Sequence, residues 1–148
     1  MIVPALVVGV ARGISVVLTE GMIIDTILYR SSEVLLRMPK VIAAEGMLFF
    51  QSALNFFIPS ASGQALVSMP LMTPMADILG ISRQTVVLAY ILGDGLSNLI
   101  IPTNGVLMAM LGLAGISFEN WIKFTLRLFI LSMILALVFI AIAVLIDY

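Results

Sequence analysis

The stretch Asn55-Phe-Phe-Ile-Pro-Ser60 recurs in the same pattern as Asn98-Leu-Ile-Ile-Pro-Thr103. We refer to the two stretches as the first and the second Asn–Pro motif. Each contains an asparagine, two apolar residues, an isoleucine, a proline and a hydroxyl residue. Proline removes a backbone donor and clashes with the preceding turn, so a helix that enters either motif is expected to break or kink. Polar groups at membrane depth are tolerated only when they are buried in protein or line a wet cavity. Two matched breaks therefore predict a binding site.

The composition predicts an all-α integral membrane protein. Of the 148 residues, 62% are hydrophobic and only 10% are charged, whereas a soluble domain is about half apolar and a quarter charged. The mean hydropathy of +1.24 agrees with this interpretation. We therefore expect the chain to lie in a lipid bilayer and to cross it more than once.

The residue types that the chain lacks argue against several classes of function. It has neither cysteine nor histidine, which removes thiolate metal sites, disulfides and the commonest near-neutral proton carrier. Its net charge of −1 gives no reason to expect nucleic acid as a partner. We therefore predict that the protein is not an enzyme, holds no metal or other cofactor, and uses at most Na⁺ or H⁺ as a coupling ion.

The hydrophobic pattern divides the chain into five parts of one membrane domain, 1–148. These parts are a transmembrane helix at 1–18, an amphipathic interfacial helix at 20–38, a re-entrant helical hairpin at 41–79, a discontinuous transmembrane helix at 84–114 and a terminal transmembrane helix at 123–147. Arg12, within the first part, either reaches toward the membrane surface or faces the transport path.

The hairpin is predicted from the lengths of its arms. The first arm, 41–57, extends about 25 Å as a helix. A small, polar, turn-forming segment follows at 58–65, and the second arm, 66–79, contains Pro70 and Pro74. Because the second arm is too short to cross the hydrocarbon core, the two arms are expected to enter and leave on the same side.

The discontinuous helix is predicted in the same way. The apolar pieces at 85–93 and 106–113 extend only about 13 Å and 12 Å, near half a membrane thickness each. The gap between them contains Asp94 and the second Asn–Pro motif. Beyond it, Trp121 is typical of a membrane-interface residue, and the apolar run at 124–146 is interpreted as lipid-facing scaffold.

The polar residues at the hairpin tip and in the gap form the candidate site. Free N–H groups at the starts of the half-helices would favour a carboxylate, and carbonyl, hydroxyl and amide oxygens would suit a hard cation such as sodium. Asp94 is the only carboxylate in the gap and, with Ser97, is the candidate for ion or proton coupling. The candidate substrate-binding residues are Asn55, Ser60, Ser62, Gly63, Gln64, Asn98, Thr103 and Asn104.

Three other interpretations of these residues are open. The two prolines could merely kink transmembrane helices whose Ser and Thr side chains bond back to their own backbone. Gly93-Asp94 prompts an intramembrane aspartyl protease, although Ile91 stands where that class has a glycine. The chain could also be a non-transporting membrane subunit or a truncated pseudo-transporter.

The motifs and their surroundings resemble the C-terminal part of YfcC-like and DcuC-like C4-dicarboxylate carrier permeases of the ion-transporter superfamily. The resemblance rests on Val7–Val16, on Gln51–Gln64, on Gly93–Gly105 with the Val-Leu-Met-Ala that follows, and on Trp121–Phe124. It implies a secondary transporter or antiporter of the bacterial inner membrane that moves carboxylate-bearing metabolites or amino acids by ion coupling or exchange. It also implies that the candidate site residues line the substrate and ion sites, and it allows a homodimer.

The chain departs from this resemblance in containing only one repeat. The resembling permeases have two inverted repeats, each with a re-entrant hairpin and a broken helix. We therefore expect the partner repeat to precede Met1, in the same chain or in a separate one, and the present chain to be the C-terminal part of a longer permease.

Overall fold

The computed structural model describes residues 20–148 and, before them, residues 6, 9, 10, 13 and 16–18. The predicted transmembrane helix at 1–18, with Arg12, therefore falls largely outside the described residues and stays a prediction. From residue 20 onward the chain forms helices and no β-strand. The six helices are α1 (Ile23–Leu35), α2 (Lys40–Phe57), α3 (Ala61–Leu79), α4 (Arg83–Ser97), α5 (Gly105–Ala114) and α6 (Phe118–Leu145).

Helix α1 lies within the predicted interfacial segment. Its residues Ile24, Ser32 and Leu35 are buried, while Ile27 and Val34 are exposed. Leu35 packs on α2 where the neighbouring residue is Gly46, so closely that a Cβ atom on Gly46 would lie 2.5 Å from the Cδ2 atom of Leu35. The helix is amphipathic in this sense, and its position at a membrane surface stays a prediction.

Helices α2 and α3 form a helical hairpin whose connection is only Ile58, Pro59 and Ser60. Lys40 Nζ donates to the carbonyl oxygen of Gly80 over 3.0 Å, so the start of α2 and the end of α3 lie at one end of the hairpin. The first Asn–Pro motif lies at the opposite end. Whether this hairpin is re-entrant depends on the membrane, and that part of the interpretation stays a prediction.

The turn at the hairpin tip is shorter than the sequence suggested. Helix α3 begins at Ala61, because the Ser60 side chain caps it by accepting from Gly63 N over 3.4 Å. The predicted turn-forming segment at 58–65 is therefore confined to residues 58–60, and residues 61–65 are helical. Pro70 and Pro74 lie inside the continuous helix, which shows that proline alone does not separate two helices in this chain.

The predicted broken helix corresponds to α4 and α5, separated by residues 98–104. Ser82 caps the start of α4 by accepting from Thr85 N over 3.1 Å, and Asn104 caps the start of α5. Helix α4 continues to Ser97, so Asp94 lies in its last turn. The prediction that Asp94 lies in the gap itself is wrong by one helical turn.

Helix α6 is the one helix of the described residues that is long and apolar enough to cross a membrane. Its 28 residues extend about 42 Å. It is not lipid-facing all round, because one stripe packs on the other helices, namely Thr125, Met133, Ala136, Ile140 and Ala143.

Hydrogen bonds near both ends of α6 fix its direction relative to α4. Near its start, Trp121 Nε1 donates to the carbonyl oxygen of Leu99 over 2.8 Å, just after α4 ends. Beyond its end, the Tyr148 carbonyl accepts from the hydroxyls of Ser82 and Thr85, where α4 begins. Helix α6 therefore runs antiparallel to α4, from the gap at residues 98–104 back to the base of the hairpin.

Candidate functional site

Asn55 joins the first Asn–Pro motif to the helix that leads into the second. It lies in the last turn of α2 and is fully buried. Its Nδ2 atom donates to the carbonyl oxygen of Asp94 over 3.0 Å and to Ser97 Oγ over 2.8 Å. Ser97 Oγ lies 2.6 Å from the carbonyl oxygen of Gly93, to which it donates. The structure thus brings together Asn55, Asp94 and Ser97, three of the residues that the sequence singled out.

A chain of polar side chains continues from Asp94 across the gap. Asn98 Nδ2 donates to Asp94 Oδ1 over 3.3 Å, and Asn104 Nδ2 donates to Asn98 Oδ1 over 3.0 Å. Asp94 is 9% exposed. Hydrogen bonds of Asn98 and Asn104 therefore span the gap, from Asp94 in the last turn of α4 to Asn104 directly before α5.

The starts of the two half-helices are less open to a ligand than predicted. Asn104 Oδ1 accepts from the N–H groups of Val106 and Leu107 over 3.0 Å and 3.3 Å. Ser60 Oγ accepts from Gly63 N at the start of α3. Because each cap occupies donors that a helix otherwise leaves unsatisfied, these N–H groups are not free to bind a carboxylate. This part of the sequence interpretation is corrected.

Several buried polar atoms at the motifs have no hydrogen-bond partner within the described residues. They include Asn55 Oδ1, Gln64 Oε1 and Thr103 Oγ1. Thr103, in the second motif, is 7% exposed, and Asn55 and Gln64 are fully buried. A buried polar group without a partner costs about 1–3 kcal/mol, so these atoms are candidates for contact with water, an ion or a substrate.

Of the remaining predicted residues at the hairpin tip, three lie near the surface and one is buried inside the hairpin. Ser60 and Gly63 are half-buried and Ser62 is exposed, and none of the three is hydrogen-bonded to α4 or to the gap. Gln64 points into the hairpin, where its Nε2 atom donates to the carbonyl oxygen of Gln51 over 2.9 Å and to Gln51 Oε1 over 2.7 Å. The structure therefore places Gln64 in the core of the hairpin, with no hydrogen bond to Asp94 in the described part of the chain.

Sequence reasoning missed residues that link these groups. Gln51 Nε2 donates to Ser68 Oγ over 3.1 Å, so Ser68 completes the buried network with Gln64. Ser52 Oγ donates to the carbonyl oxygen of Gly93 over 3.1 Å. A signal existed for these two serines, since each is a small polar residue within an apolar helix, where polar side chains join neighbouring helices.

Two aromatic residues were also missed. Tyr90 OH donates to the carbonyl oxygen of Ala61 over 2.5 Å at the hairpin tip. Trp121, predicted as an interfacial residue, donates to Leu99 beside the gap. Neither pairing has a signal in the sequence, because the partners are backbone groups 29 and 22 residues away.

The arrangement suits binding better than bond-breaking chemistry. It offers buried amide oxygens that can only accept, hydroxyls that can donate or accept, and one carboxylate. Such groups can surround a small cation and the carboxylate of a substrate.

Comparisons with known proteins identify what the chain is similar to. A family model described as the C4-dicarboxylate anaerobic carrier, DcuC, matches residues 1–145. An Escherichia coli K12 protein, printed as "Putative basic amino acid antiporter YfcC", is 43% identical over 128 residues, which cover 83% of this chain and 25% of that protein. An uncharacterized protein of Haemophilus influenzae is 42% identical over 120 residues, covering 81% of this chain and 23% of that protein. The chain thus spans about a quarter of the length of these relatives. No solved structure shows a significant match.

Proposed function

Because the chain belongs to the C4-dicarboxylate anaerobic carrier family, we propose that it forms part of a secondary active transporter for small carboxylate-bearing metabolites or amino acids. The observation that carries this proposal is the pair of hydrogen bonds from Asn55 to Asp94 and Ser97. They hold the end of α2 against the last turn of α4, so the two helix interruptions become neighbours at one site. Interrupted helices of this kind form the substrate and ion sites of membrane transporters.

Hydroxyl groups are the proposed donors to a substrate carboxylate. The Thr103 hydroxyl is buried and makes no hydrogen bond within the described part of the chain. The Ser60 hydroxyl accepts from Gly63 N and keeps its own hydrogen for a ligand. The exposed Ser62 hydroxyl lies two residues further along. These groups take over the role that the capped half-helix N–H groups cannot fill.

Amide oxygens and Asp94 are the proposed coupling site. Asn55 Oδ1 is buried without a partner and belongs to the side chain that bonds the backbone of Asp94. The carboxylate of Asp94 accepts from Asn98 at one oxygen and leaves the other for Na⁺ or H⁺. An ionisable group within a membrane protein is costly and usually serves the transported ion or proton.

The proposed substrate class is defined by the carboxylate alone. The family description names C4-dicarboxylates, and the name of the Escherichia coli relative refers to basic amino acids. Both classes carry a carboxylate that hydroxyl groups can bind. In an amino acid, the ammonium group would be placed next to Asp94, whereas a dicarboxylate would require a cation there.

Uptake measurements test the proposal. Asn55→Ala, Asp94→Ala and Asn98→Ala are expected to abolish uptake of the substrate while the amount of protein in the membrane stays the same. Asn120→Ala and Asp25→Ala are matched controls, since both residues are exposed and neither side chain makes a hydrogen bond within the described residues. A panel of dicarboxylates and amino acids, each with and without sodium, identifies the substrate and the coupling ion. Unchanged uptake in all three site variants contradicts the proposal.

The alternative function is that of a non-transporting membrane subunit or truncated pseudo-transporter. Sequencing the DNA that flanks the coding region distinguishes the two functions. A preceding region that encodes another hydrophobic hairpin and a proline-broken helix supports the carrier. The protease alternative loses its basis, since the family consists of carriers.

A further inference from the structure

Trp121 satisfies a backbone carbonyl group that the helix interruption leaves without a helical partner. In a continuous helix, the Leu99 carbonyl would accept from the N–H group four residues later, but the helix ends at Ser97. Within the described residues its hydrogen-bond partner is Trp121 Nε1, at 2.8 Å. An indole has one donor and no acceptor, so this single bond uses all the polar capacity of the side chain.

Tyr90 also binds a backbone carbonyl group, at the other motif. It lies on α4, about two turns before the end of that helix. Its hydroxyl donates to the carbonyl oxygen of Ala61 over 2.5 Å. Ala61 is the residue directly after the first Asn–Pro motif. The hairpin tip is therefore attached to α4 at a point separate from the Asn55 contacts.

We infer that Tyr90 and Trp121 are positioning residues of the proposed site. Tyr90 holds the first motif against α4, and Trp121 holds the second motif against α6. Both act on backbone carbonyl groups beside the motifs and neither is assigned contact with substrate. This inference rests on the proposed function where it concerns transport, while the two hydrogen bonds themselves can be tested without it.

The physical reason for such residues lies in the low dielectric of the membrane interior. The Leu99 carbonyl, which lies beyond the end of α4, must find a donor there or incur a cost of several kcal/mol. The Ala61 carbonyl belongs to the first residue of α3 and already accepts within that helix, so Tyr90 adds a second bond that attaches the tip rather than satisfying a released group. Water can supply a donor without fixing a direction, but an aromatic side chain is rigid and fixes the carbonyl relative to its own helix. We call the Tyr90–Ala61 and Trp121–Leu99 hydrogen bonds the two tethers. They fix the hairpin tip and residues 98–104 relative to α4 and α6, and a site formed from both motifs requires such a fixed arrangement.

Tyr90→Phe and Trp121→Phe test the inference, since each retains an aromatic ring and removes the donor. Tyr29→Phe is the matched control, because Tyr29 is exposed and its hydroxyl makes no hydrogen bond in the described part of the chain. Amide hydrogen exchange followed by mass spectrometry reports on both motifs without reference to transport. Tyr90→Phe is expected to speed exchange about threefold to tenfold at residues 58–64, which is the effect of losing one neutral hydrogen bond. Trp121→Phe is expected to speed exchange by a similar factor at residues 98–104. Tyr29→Phe is expected to leave the exchange rates of both segments unchanged.

Uptake kinetics supply the second measurement. Both variants are expected to raise the KM for the substrate by a similar factor, with the amount of protein in the membrane unchanged. Exchange rates equal to wild type at both motifs overturn the inference. Faster exchange with unaltered uptake also overturns it, because the tethers would then be structural only. If the wild-type protein carries no member of the substrate panel, the proposed function fails, and the exchange rates alone decide whether the tethers position the motifs.

Discussion

A Cβ atom on Gly93 would lie 2.7 Å from the carbonyl oxygen of Leu48, so α4 and α2 touch backbone to backbone at this point. Ser52 reinforces the contact by donating to the Gly93 carbonyl. Small residues allow membrane helices to approach in this way. Because the backbones are so close, the short side chain of Asn55, about two turns beyond Leu48, can reach the carbonyl of Asp94. The geometry of the site therefore depends on Gly93, which contributes only by letting the two helix backbones come close.

We expect Gly93→Ala to destabilise the protein by about 1–3 kcal/mol, the usual cost of overpacking a filled core. The added methyl group would also lie 2.8 Å from Gln51 Cβ and 3.2 Å from Ser52 N, so α2 cannot yield at a flexible side chain. The free energy of unfolding in detergent, obtained from denaturant titration, measures the effect.

The matched control for that variant is Gly95→Ala in the same helix. A Cβ atom on Gly95 would meet nothing within 4 Å. Replacing a helical glycine with alanine then stabilises by about 0.5–1 kcal/mol. Equal stabilities of the two alanine variants would contradict the backbone contact between α4 and α2.

A double-mutant cycle tests the bond between Asn55 and Ser97. Their side chains lie 2.8 Å apart and both are buried. We expect Asn55→Ala and Ser97→Ala to be coupled by about 0.5–1.5 kcal/mol, as for a neutral hydrogen bond. Ser62→Ala is the comparison variant, since Ser62 is exposed at the hairpin tip. Its effect should add to that of Asn55→Ala within about 0.5 kcal/mol, and coupling of equal size in both cycles would contradict the assignment.

The sequence predicted the interruptions well because their causes are local. Proline alone does not end a helix in this chain, but in each motif it is followed by a residue that caps the next helix, namely Ser60 or Asn104. The predicted segments 41–79 and 84–114 therefore each correspond to two helices, and the chain leaves the first helix of each pair within or directly before a motif. The resemblance to the C4-dicarboxylate carriers, which rested on the same motifs, is confirmed.

The contacts between segments could not be predicted because their causes are not local. The Ser68–Gln51 bond joins residues 17 positions apart, and the bonds of Trp121 and Tyr90 join residues 22 and 29 positions apart. Hydrophobic periodicity reports which face of a helix is buried but not which neighbour it meets. For the same reason, the apolar run that forms α6 was interpreted as lipid-facing, although Thr125 and Ala136 on one side of it are buried.

The capping role of Asn104 gives a third prediction. Its Oδ1 atom accepts from Val106 N and Leu107 N, and loss of such a cap costs about 1 kcal/mol. We expect Asn104→Ala to speed amide exchange of residues 106 and 107 by about fivefold. Asn104→Asp retains the acceptor and is the control, although it loses the donor to Asn98. Protection of the two amides in the alanine variant as strong as in the aspartate variant would contradict the cap.

The buried network of the hairpin gives a fourth prediction, on stability. Gln64→Leu removes the donor that serves Gln51 Oε1 and leaves that buried oxygen unsatisfied, at a cost of about 1–3 kcal/mol that is partly offset because the unpartnered Gln64 Oε1 is removed as well. Replacing both residues, as in Gln51→Leu with Gln64→Leu, removes the orphaned oxygen as well. The double variant should therefore lose less stability than the two single variants lose in sum, since only the Ser68 hydroxyl is left to find another partner. Denaturant titration of all three variants in detergent measures the difference. Strict additivity would mean that Gln51 and Gln64 do not interact, which would contradict the hydrogen bond between their side chains.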